Sequence, residues 1–591
     1  MKFKQKAEEK KMSMSKNIAR LAVTAGLTAA LSFGGVMAPV TMAFAADPAA
    51  TTNSITINKN KDNGSVKYKA YQIFEADVMD ESGKTDKVVS NVKWAAGVKD
   101  TTQDAIIKAI NDYKKDALKT DAKAQDVANW LTANITGTTN TTVLKDTDLL
   151  NTLAGLVAKD VTPTNPTGAK EASFKADTKV SFDKSGYYLF LTDAGTLPSD
   201  ESTTDSKNTA TSPIYAVVGA GTVTVNEKTS IPTVNKQVLD DTAGKTADTA
   251  EEGDWKNVGD AWVGQAIDYK LTGTVASNIA SYVKYTYEFQ DHLSAGLAAD
   301  PSSIVVTING KKIEASGNYT ATVTNTTDDS NNKTGQDLKV YFEDLKAAAN
   351  SVGETLDGAS KVVVTYRAKL TSDAEYTATG NTNEVKLVYS NNPMTDDTGT
   401  SESDEVTDYV FGLDVTKTAS DDLHKKLVAG FKVKMTKEGT TPVTGDKWLT
   451  ETGGLTSDSG KAGVFTTNET DSKVFIPGLV AGEYEITECE TPAGYNSISF
   501  TITVTPTYDK ATGKLAKLIV KDSSDMVTSE LDGNVTSTRI PITIENKKGS
   551  GLPLTGLNGV TFTWIAGGAV LVIGVAHLIR SRKQAEESEQ E

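Results

Sequence analysis

The sequence predicts a mostly β protein made of tandem antiparallel sandwiches, with one helical insertion. Thr, Val and Ile alternate along most of the chain, and the turns between these stretches are rich in Gly, Asn and Asp. The chain has 591 residues, which is too long for one hydrophobic core, so we expect several domains of about 100 to 200 residues.

The first element is an export signal at residues 1–45. The start of the chain is rich in lysine, an apolar stretch runs from Leu21 to Val40, and the small-residue site Ala43-Phe44-Ala45 follows. This order is typical of a secretory signal peptide. A retained membrane anchor is the alternative, but the polar sequence that follows favours cleavage and secretion, with a mature chain that begins near Ala46.

Three β-domains separated by polar stretches follow the export signal. We place them at 46–229, 230–395 and 409–548. An acidic linker at 396–408 is expected between the last two, because this stretch is too polar to join a core. The helical insertion lies in the first domain, between Thr102 and Leu156, where apolar residues recur at helical spacing.

The last element, residues 549–591, has the order of a membrane-anchoring tail. Leu552-Pro553-Leu554-Thr555-Gly556 precedes an apolar segment from Thr561 to Ile579, and a basic cluster follows that segment. The apolar segment is long enough to cross a bilayer, and the basic cluster would stay on the cytoplasmic side. A plain C-terminal membrane anchor is one interpretation of this order.

The same order of elements resembles the cell-wall sorting signal of Gram-positive surface proteins. The resemblance implies that a sortase recognises a pentapeptide containing Leu552 and Pro553 and cleaves between Thr555 and Gly556. The Thr555 carbonyl would then pass to an amine. The membrane anchor would be transient, and the protein would end attached to peptidoglycan at the cell wall.

Charge and composition exclude several functions. Acidic residues outnumber basic residues by 77 to 61, and the net charge of −16 argues against nucleic acid as a partner. The single cysteine, Cys489, cannot form an internal disulfide, and we expect a half-buried strand thiol there. His292, His424 and His577 are scattered, and the sequence has no metal-spaced cluster, P-loop or nucleophile elbow. We therefore expect no enzyme, no metal and no cofactor.

Three polar side chains of the third domain are predicted to lie in its core. Alternate residues of a strand share a face, and Lys417, Asn546 and Glu488 each continue the apolar face of a predicted strand. The apolar residues on these faces are Phe411, Leu413 and Val415 for the first, Ile540, Ile542 and Ile544 for the second, and Tyr484 and Ile486 for the third.

These three buried groups are expected to meet, because each would cost several kcal/mol if it were buried alone. Burial disfavours the charged forms of an amine and an acid, so a proton can pass from Lys417 to Glu488 and leave a neutral amine. The protonated Glu488 would polarise the Asn546 carboxamide, the amine would attack its carbonyl carbon, and ammonia would leave. A hydrogen-bonded cluster without a covalent bond is the alternative.

With these three residues, the chain resembles the SpaA-type backbone pilins of Gram-positive bacteria. Their immunoglobulin-like domains, of the collagen-adhesin B type, form such Lys–Asn isopeptide bonds. The stretch Tyr484-Glu485-Ile486-Thr487-Glu488, with Pro492, Gly494 and Tyr495, is similar to the family's E-box, whose glutamate assists the bond. Here Cys489 and Glu490 stand between the glutamate and Thr491-Pro492-Ala493-Gly494. The early stretch Tyr68-Lys69-Ala70-Tyr71-Gln72-Ile73-Phe74 is similar to the family's opening.

By analogy, Lys236 in the middle domain is expected to join Asn391, with Asp291 as the assisting acid. Each of these residues continues an apolar face in the same way. The apolar partners are Val234 and Val238, then Tyr285, Tyr287 and Phe289, and finally Val385, Leu387 and Tyr389. Asn383 has the same parity as Asn391, and Asn392 is adjacent to it, so both remain alternative acceptors.

Lys228, at the end of the first domain, is the predicted acceptor for the sortase. Val223 and Val225 would face the core, and Lys228 has the opposite parity, so its amine is expected to face solvent. The stretch resembles the family's pilin motif, Val-x-Val-Tyr-Pro-Lys, although Asn226 and Glu227 replace the Tyr-Pro pair. The resemblance implies that Lys228 accepts Thr555 of the neighbouring subunit; Lys236 is the competing candidate.

No isopeptide bond is expected in the first domain. Lys59 is predicted to point inward, but Glu227 and Thr229 stand where an acceptor asparagine would be needed.

Together, these expectations describe the major subunit of a covalent pilus. A class C sortase would join identical subunits head to tail, and a housekeeping sortase would attach the fibre to peptidoglycan. Tip or base pilins and a host surface ligand would be further partners. The alternative is a monomeric wall-anchored adhesin or an ancillary pilin, which needs the sorting signal but not Lys228.

Overall fold

The computed structural model describes most of the chain between its two ends. The described residues are 52–80, 87–139, 141–198, 206–239, 244–423, 425–509, 512–523, 528–532 and 535–549. They form a mostly β structure with several sheets, so the predicted fold class is confirmed. The expected signal peptide and sorting pentapeptide lie outside the described residues. Within the described part, no helix has both the length and the apolar character needed to cross a membrane.

The N-terminal unit packs one sheet between a second sheet and a group of helices. Its strands are β1 (Asn53–Asn58), β2 (Lys67–Asp80), β3 (Lys87–Trp94), β4 (Ser173–Lys175), β5 (Val180–Ser181), β6 (Gly186–Thr192), β7 (Ile214–Val218) and β8 (Gly221–Asn226). The larger sheet has the order β3-β2-β6-β7, with β4 paired to β2, and the smaller has the order β5-β1-β8. One core fills the space between the two sheets, and a second core lies between the larger sheet and the helices.

The predicted helical insertion is present in this unit. It consists of α1 (Asp100–Tyr113), α2 (Ala124–Asn134) and α3 (Leu149–Asp160). In α1 the buried residues Ile106, Ile107 and Ile110 recur at helical spacing, so one side of the helix packs on the sheet core. Burial of this apolar stripe is what stabilises so short a helix.

The middle unit is a sandwich of two larger sheets around one core. Its strands are β9 (Val234–Leu239), β10 (Trp255–Lys256), β11 (Val258–Asp260), β12 (Ala266–Thr274), β13 (Tyr287–Ser294), β14 (Leu297–Ile308), β15 (Lys311–Ile313), β16 (Thr320–Thr327), β17 (Lys333–Phe342), β18 (Lys361–Leu370), β19 (Asn381–Ser390), β20 (Thr398–Thr400) and β21 (Asp404–Tyr409). One sheet has the order β10-β9-β12-β18-β14-β15; the other has the order β11-β21-β19-β13-β17-β16, with β20 paired to β19. A short helix, α4 (Leu345–Ser351), packs against the shared core.

The C-terminal unit is again a sandwich. Its strands are β22 (Phe411–Ala419), β23 (Gly430–Glu438), β24 (Thr441–Pro442), β25 (Trp448–Leu449), β26 (Leu455–Thr456), β27 (Phe465–Thr466), β28 (Lys473–Leu479), β29 (Gly482–Glu490), β30 (Ser499–Tyr508), β31 (Leu515–Asp522), β32 (Thr528–Asp532) and β33 (Arg539–Asn546). The small sheet has the order β28-β22-β33. The large sheet has the order β26-β25-β23-β29-β30-β31-β32, with β24 and β27 paired to β23.

Short 3-10 helices occur in all three units, at Ala194–Thr196, Glu252–Asp254, Ile279–Ser281 and Ser459–Lys461.

The first and last strands are parallel neighbours in two of the units. In the C-terminal unit, β22 pairs with β33 from Gly412–Arg539 to Ala419–Asn546. In the N-terminal unit, β1 pairs with β8 in the same way. A crosslink between such strands would therefore join the start of a unit directly to its end.

The acidic linker expected at 396–408 is wrong. This stretch contains β20 and most of β21, and β21 pairs antiparallel with β19 and parallel with β11. Val406 and Asp408 are buried, the latter under the Tyr269 hydroxyl, which donates to its Oδ2 at 2.5 Å. The prediction failed because it relied on the average polarity of residues 396–408, whereas a strand at the edge of a core buries only every second side chain.

The chain passes from the middle to the C-terminal unit without a connecting loop. Only Val410 separates β21 from β22. Val410 packs in the core of the middle unit, whereas its neighbours Tyr409 and Phe411 pack in the core of the C-terminal unit.

Candidate functional site

Lys417, Asn546 and Glu488 meet in the core of the C-terminal unit, as their strand positions predict. Lys417 lies on β22, Asn546 ends β33 beside it, and Glu488 comes from β29 in the opposite sheet. Their exposed fractions are 1%, 0% and 5%, respectively. The sandwich therefore brings an amine, a carboxamide and a carboxyl group together away from water.

The contacts within this cluster are direct. Lys417 Nζ donates to Asn546 Oδ1 at 2.5 Å and to the Ile544 carbonyl at 3.2 Å. Asn546 Nδ2 donates to both carboxyl oxygens of Glu488, at 2.9 and 3.1 Å. Lys417 Nζ lies 3.8 Å from Glu488 Oε1. The amine thus lies at the carbonyl side of the amide, and the acid lies at its nitrogen.

Burial makes the Lys417 amine a better nucleophile. Desolvation lowers the pKa of Lys417 from 10.5 to about 8, even though nearby Glu488 favours the charged form. At pH 7.4 a group with such a pKa is neutral roughly one time in five, compared with about one in a thousand for an ordinary lysine. A neutral amine beside a carbonyl carbon, with an acid on the leaving nitrogen, can form an amide bond and release ammonia.

The middle unit holds a second buried cluster around Lys236. Lys236 Nζ donates to Asp291 Oδ1 and lies 3.3 Å from the Tyr366 hydroxyl. Tyr366 donates to Asp291 Oδ2 at 2.5 Å and accepts from Asn383 Nδ2 at 2.7 Å. Both members of the Lys236–Asp291 pair have fully buried side chains. The Tyr366 hydroxyl therefore links the amide of Asn383 to the Lys236–Asp291 pair.

Asn391, the acceptor favoured from the sequence, lies elsewhere. Asp291 pairs with Val385 across β13 and β19, and Asn391 is six residues farther along the chain, or about 20 Å of extended strand. Its Nδ2 donates to the Pro198 carbonyl of the N-terminal unit at 3.2 Å. Parity identifies the buried face correctly but repeats every second residue, so it does not fix the height along the strand.

Asn392, the other alternative, is also not at Lys236. Its Oδ1 accepts from the backbone of Met394 at 3.0 Å, in the turn after β19. Asn383 pairs with Leu293, two positions from Asp291 on β13, which places its side chain on the same face and beside the acid.

Two tyrosines that the sequence did not single out complete the middle cluster. Lys236 Nζ lies 5.4 Å from the ring centroid of Tyr269 and 5.5 Å from that of Tyr366, and the two rings stack on each other. Burial lowers the pKa of Lys236 and raises that of Asp291, and attraction between the two charges opposes both shifts. The signal that could have found Tyr366 is its parity with Val362 and Val364 on a buried strand.

Lys228 is half-buried rather than facing solvent. It follows β8, and its backbone N–H donates to Thr211 Oγ1 at 2.9 Å while its carbonyl accepts from Ser212 at 3.1 Å. Next to it, Thr229 donates to Asn278 of the middle unit at 3.0 Å. The backbone of Lys228 is thus bonded to the segment before β7, a tertiary contact that strand parity could not predict. Desolvation lowers the pKa of Lys228 to about 8.

The N-terminal unit has a hydrogen-bonded acid at the corresponding end of its first and last strands. Glu227 is buried and accepts from the Asn60 backbone at 2.7 Å, from Asn63 Nδ2 at 2.9 Å and from the Tyr68 hydroxyl at 2.7 Å. Lys59 Nζ instead donates to the Asn63 carbonyl. Burial raises the pKa of Glu227, and the three hydrogen bonds partly offset that shift.

The remaining expectations concern the cysteine, the histidines, metal binding and the sorting pentapeptide. Cys489 is exposed, not half-buried, because it lies at the end of β29 where the burial pattern of the strand stops. His292 pairs with Asp337 on the surface at 2.7 Å. Among the described residues, no group of His, Cys, Asp or Glu side chains could hold a metal ion. Leu552, Pro553, Thr555 and Gly556 lie outside the described residues, as do His424 and His577.

Comparisons with known proteins found a streptococcal surface protein and solved pilin structures that are similar to this chain. No protein-family model matches the chain. The trypsin-resistant surface T6 protein of Streptococcus pyogenes serotype M6 is 24% identical over 297 residues, which are 49% of this chain and 48% of that protein. The chain thus spans about half the length of the curated relative that it matches.

Two solved pilin structures are similar to this chain over most of its length. The T6 backbone pilin of Streptococcus pyogenes is 16% identical, with a TM-score of 0.48 over 84% of this chain and 98% of that one. The major pilin SpaA of Corynebacterium diphtheriae is 13% identical, with a TM-score of 0.42 over 84% of this chain and all of that one. The chain is thus similar to a streptococcal surface protein over part of its length and to two solved pilins.

Proposed function

We propose that this chain is the structural backbone subunit of a covalent surface pilus of a Gram-positive bacterium. The observation that carries the proposal is the buried cluster of Lys417, Asn546 and Glu488, whose amine and amide are in contact at 2.5 Å. A protein whose work is to withstand tension gains from a bond between its first and last strands, whereas a surface enzyme has no need of one.

Each cluster would form one internal isopeptide bond. In the C-terminal unit, the Lys417 amine attacks the Asn546 carbonyl carbon, Glu488 moves the proton to the leaving nitrogen, and ammonia departs. In the middle unit, Lys236 and Asn383 are the reacting pair, with Asp291 as the proton carrier. The acid in each cluster acts once, in a single self-catalysed turnover.

The bond in the C-terminal unit would carry load from the first strand of that unit to its last. Lys417 and Asn546 are 129 residues apart in sequence but lie on adjacent strands. A crosslink that closes a loop of this size adds roughly 4 to 5 kcal/mol on chain-entropy grounds. Unlike a disulfide it would not be reversed by reduction, which fits an exported chain with one cysteine.

Polymerisation would use the two ends of the subunit. A class C sortase would transfer the Thr555 carbonyl of one subunit to Lys228 of the next, and a housekeeping sortase would pass the finished fibre to peptidoglycan. The pKa of Lys228, lowered to about 8, supports this role, because the neutral amine is the nucleophile. Tip or base pilins and a host ligand would bind the same assembly.

The experiment is replacement of Lys228 in the native host, followed by immunoblots of cell-wall extracts. Lys228→Arg should abolish the ladder of high-mass polymers, and Lys207→Arg, at a lysine paired with Glu402 on the surface, should leave it intact. A full ladder with Lys228→Arg would overturn the assignment of the acceptor. A wild-type chain that is only monomeric at the wall would favour the adhesin instead.

A further inference from the structure

The loop after β29 folds over the last residues of the chain that the structure describes. Asn496 N–H donates to the Lys547 carbonyl at 3.0 Å, and Gly549 N–H donates to the Gly494 carbonyl at 3.0 Å. Between these two bonds, Tyr495 and Lys548 form an antiparallel bridge. The segment that follows Asn546 is thus held by backbone bonds to the segment that follows Glu488.

Side chains from the segment that follows β22 contact the same two residues, Tyr495 and Lys548. Asp421 accepts from the Tyr495 hydroxyl at 2.8 Å through one oxygen and pairs with Lys548 Nζ at 2.8 Å through the other. Lys425 Nζ lies over the Tyr495 ring, 4.9 Å from its centroid. We call these four residues the latch: Asp421, Lys425, Tyr495 and Lys548.

The latch joins the three chain segments that carry the crosslinking residues. Asp421 is four residues after Lys417, Lys548 is two after Asn546, and Tyr495 is seven after Glu488. Further bonds reinforce the join, because Ser420 donates from its backbone to the Asn546 carbonyl at 2.9 Å and accepts from Lys548 N–H at 3.2 Å.

The reaction depends on the register of β33, because the register decides where the side chain of Asn546 lies. Asn546 is the last residue of β33, and a shift of one residue would turn its side chain to the opposite face. Strand ends fray more readily than strand centres, since fewer contacts hold them. A reactive side chain at a strand end therefore needs contacts outside the strand to hold it in position.

We propose that the latch is a positioning device for formation of the C-terminal isopeptide bond, which holds Asn546 in register against Lys417 and Glu488. This inference rests on the proposed function. In the reaction, the bond between Lys417 Nζ and Asn546 Cγ forms and the bond from Cγ to Nδ2 breaks. One proton of the amine reaches Nδ2 through Glu488, and neutral ammonia leaves, so atoms and charge balance without any co-reactant.

The latch stays paired over the neutral and mildly acidic range. The hydrogen bond from Lys548, joined by that from Tyr495, lowers the pKa of Asp421 to about 2. Because the pKa of this carboxyl is depressed, the pairing is present above its usual range and is lost only as pH falls toward 2. The device thus differs from a pH switch.

The test is the rate of bond formation in the full chain. The chain is synthesised in a cell-free reaction, aliquots are quenched in denaturant, and the crosslinked peptide that joins residues 417 and 546 is quantified by mass spectrometry. We expect Asp421→Asn and Lys548→Met to slow its appearance by about tenfold or more, as misplacement of reacting groups does. Tyr495→Phe keeps the ring under Lys425 and should slow it less, and Lys548→Arg should retain the wild-type rate.

A matched control separates positioning from general stability. Asp446→Asn breaks the surface pair of Asp446 with Lys434, 2.7 Å apart in the same unit, and should leave the rate unchanged. Wild-type rates in both Asp421→Asn and Tyr495→Phe would overturn the latch, even if the melting temperature fell. A wild-type chain without the crosslinked peptide would remove the proposed function and the latch together, so the two failures are distinct.

Discussion

Lys417 and Asn546 lie on adjacent parallel strands but two register positions apart, because Lys417 pairs with Ile544 and Asn546 pairs with Ala419. The lysine side chain crosses this diagonal and ends at the amide oxygen of Asn546. A residue directly opposite would lie too close for a four-carbon side chain to approach the amide in an extended conformation. The offset thus matches the length of lysine.

The first prediction concerns the mass of the exported chain. Each isopeptide bond releases one ammonia, so the mature wild-type chain should weigh about 34 Da less than the summed mass of the residues that it contains. Asn383→Ala should halve the deficit to about 17 Da, because the Tyr366 hydroxyl links this residue, and not Asn391, to the Lys236–Asp291 pair. Intact-mass spectrometry measures both values.

Asn391→Ala is the control for this assignment. Its amide bonds the Pro198 carbonyl and has no role at Lys236, so this variant should keep the full deficit. The reverse result, a full deficit in Asn383→Ala and half in Asn391→Ala, would contradict the structural assignment.

The second prediction concerns stability. Lys417→Met removes the crosslink without leaving an unpaired buried amine, and it should lower the free energy of unfolding of the C-terminal unit by about 4 to 5 kcal/mol. Guanidinium unfolding of the full chain measures this loss as a shift of one transition. Lys434→Met, at a surface lysine, should change it little, and equal midpoints in the two variants would count against a crosslink.

The third prediction is a pH dependence in a chain that cannot form this bond. In Asn546→Ala, Lys417 stays a free buried amine, and its burial lowers the pKa from 10.5 to about 8. Between these values the unfolded state binds more protons than the folded state, so stability should rise with pH through this window. The double variant with Lys417→Met lacks the amine and should lack the rise. Parallel curves for the two variants would contradict the lowered pKa.

The fourth prediction concerns the reactivity of Lys228. Because burial lowers its pKa to about 8, its reaction with a limiting amine-reactive reagent should reach half of its maximal rate near pH 8. Ordinary exposed lysines gain reactivity up to a pH above about 10. Peptide mapping after labelling at a series of pH values compares them in one sample. A Lys228 profile that follows the exposed lysines would show that the amine is fully solvated.

Much of the core could be predicted from the sequence because strand parity is a strict physical constraint. Phe411, Val415 and Lys417 all lie inside, and the same rule placed Glu488 and Asn546 correctly. These positions needed only the alternation of side chains on a pleated strand.

The rest depended on relations between strands that no local pattern contains. Asn383 and Asn391 have the same parity, and only the pairing of β13 with β19 decides which one lies beside Asp291. The backbone of Lys228 is bonded to Thr211, and the buried carboxyl of Asp408 accepts a hydrogen bond from the hydroxyl of Tyr269. These contacts join residues far apart in sequence.

The direct passage from β21 to β22 has a consequence for the mechanics of an assembled fibre. Three consecutive residues, Tyr409, Val410 and Phe411, are buried in two different cores. Bending at this point would pull an apolar side chain out of one core or the other, so the backbone there cannot act as a hinge. A pilus built from this chain would then have to bend at other places, among them the joints between neighbouring subunits.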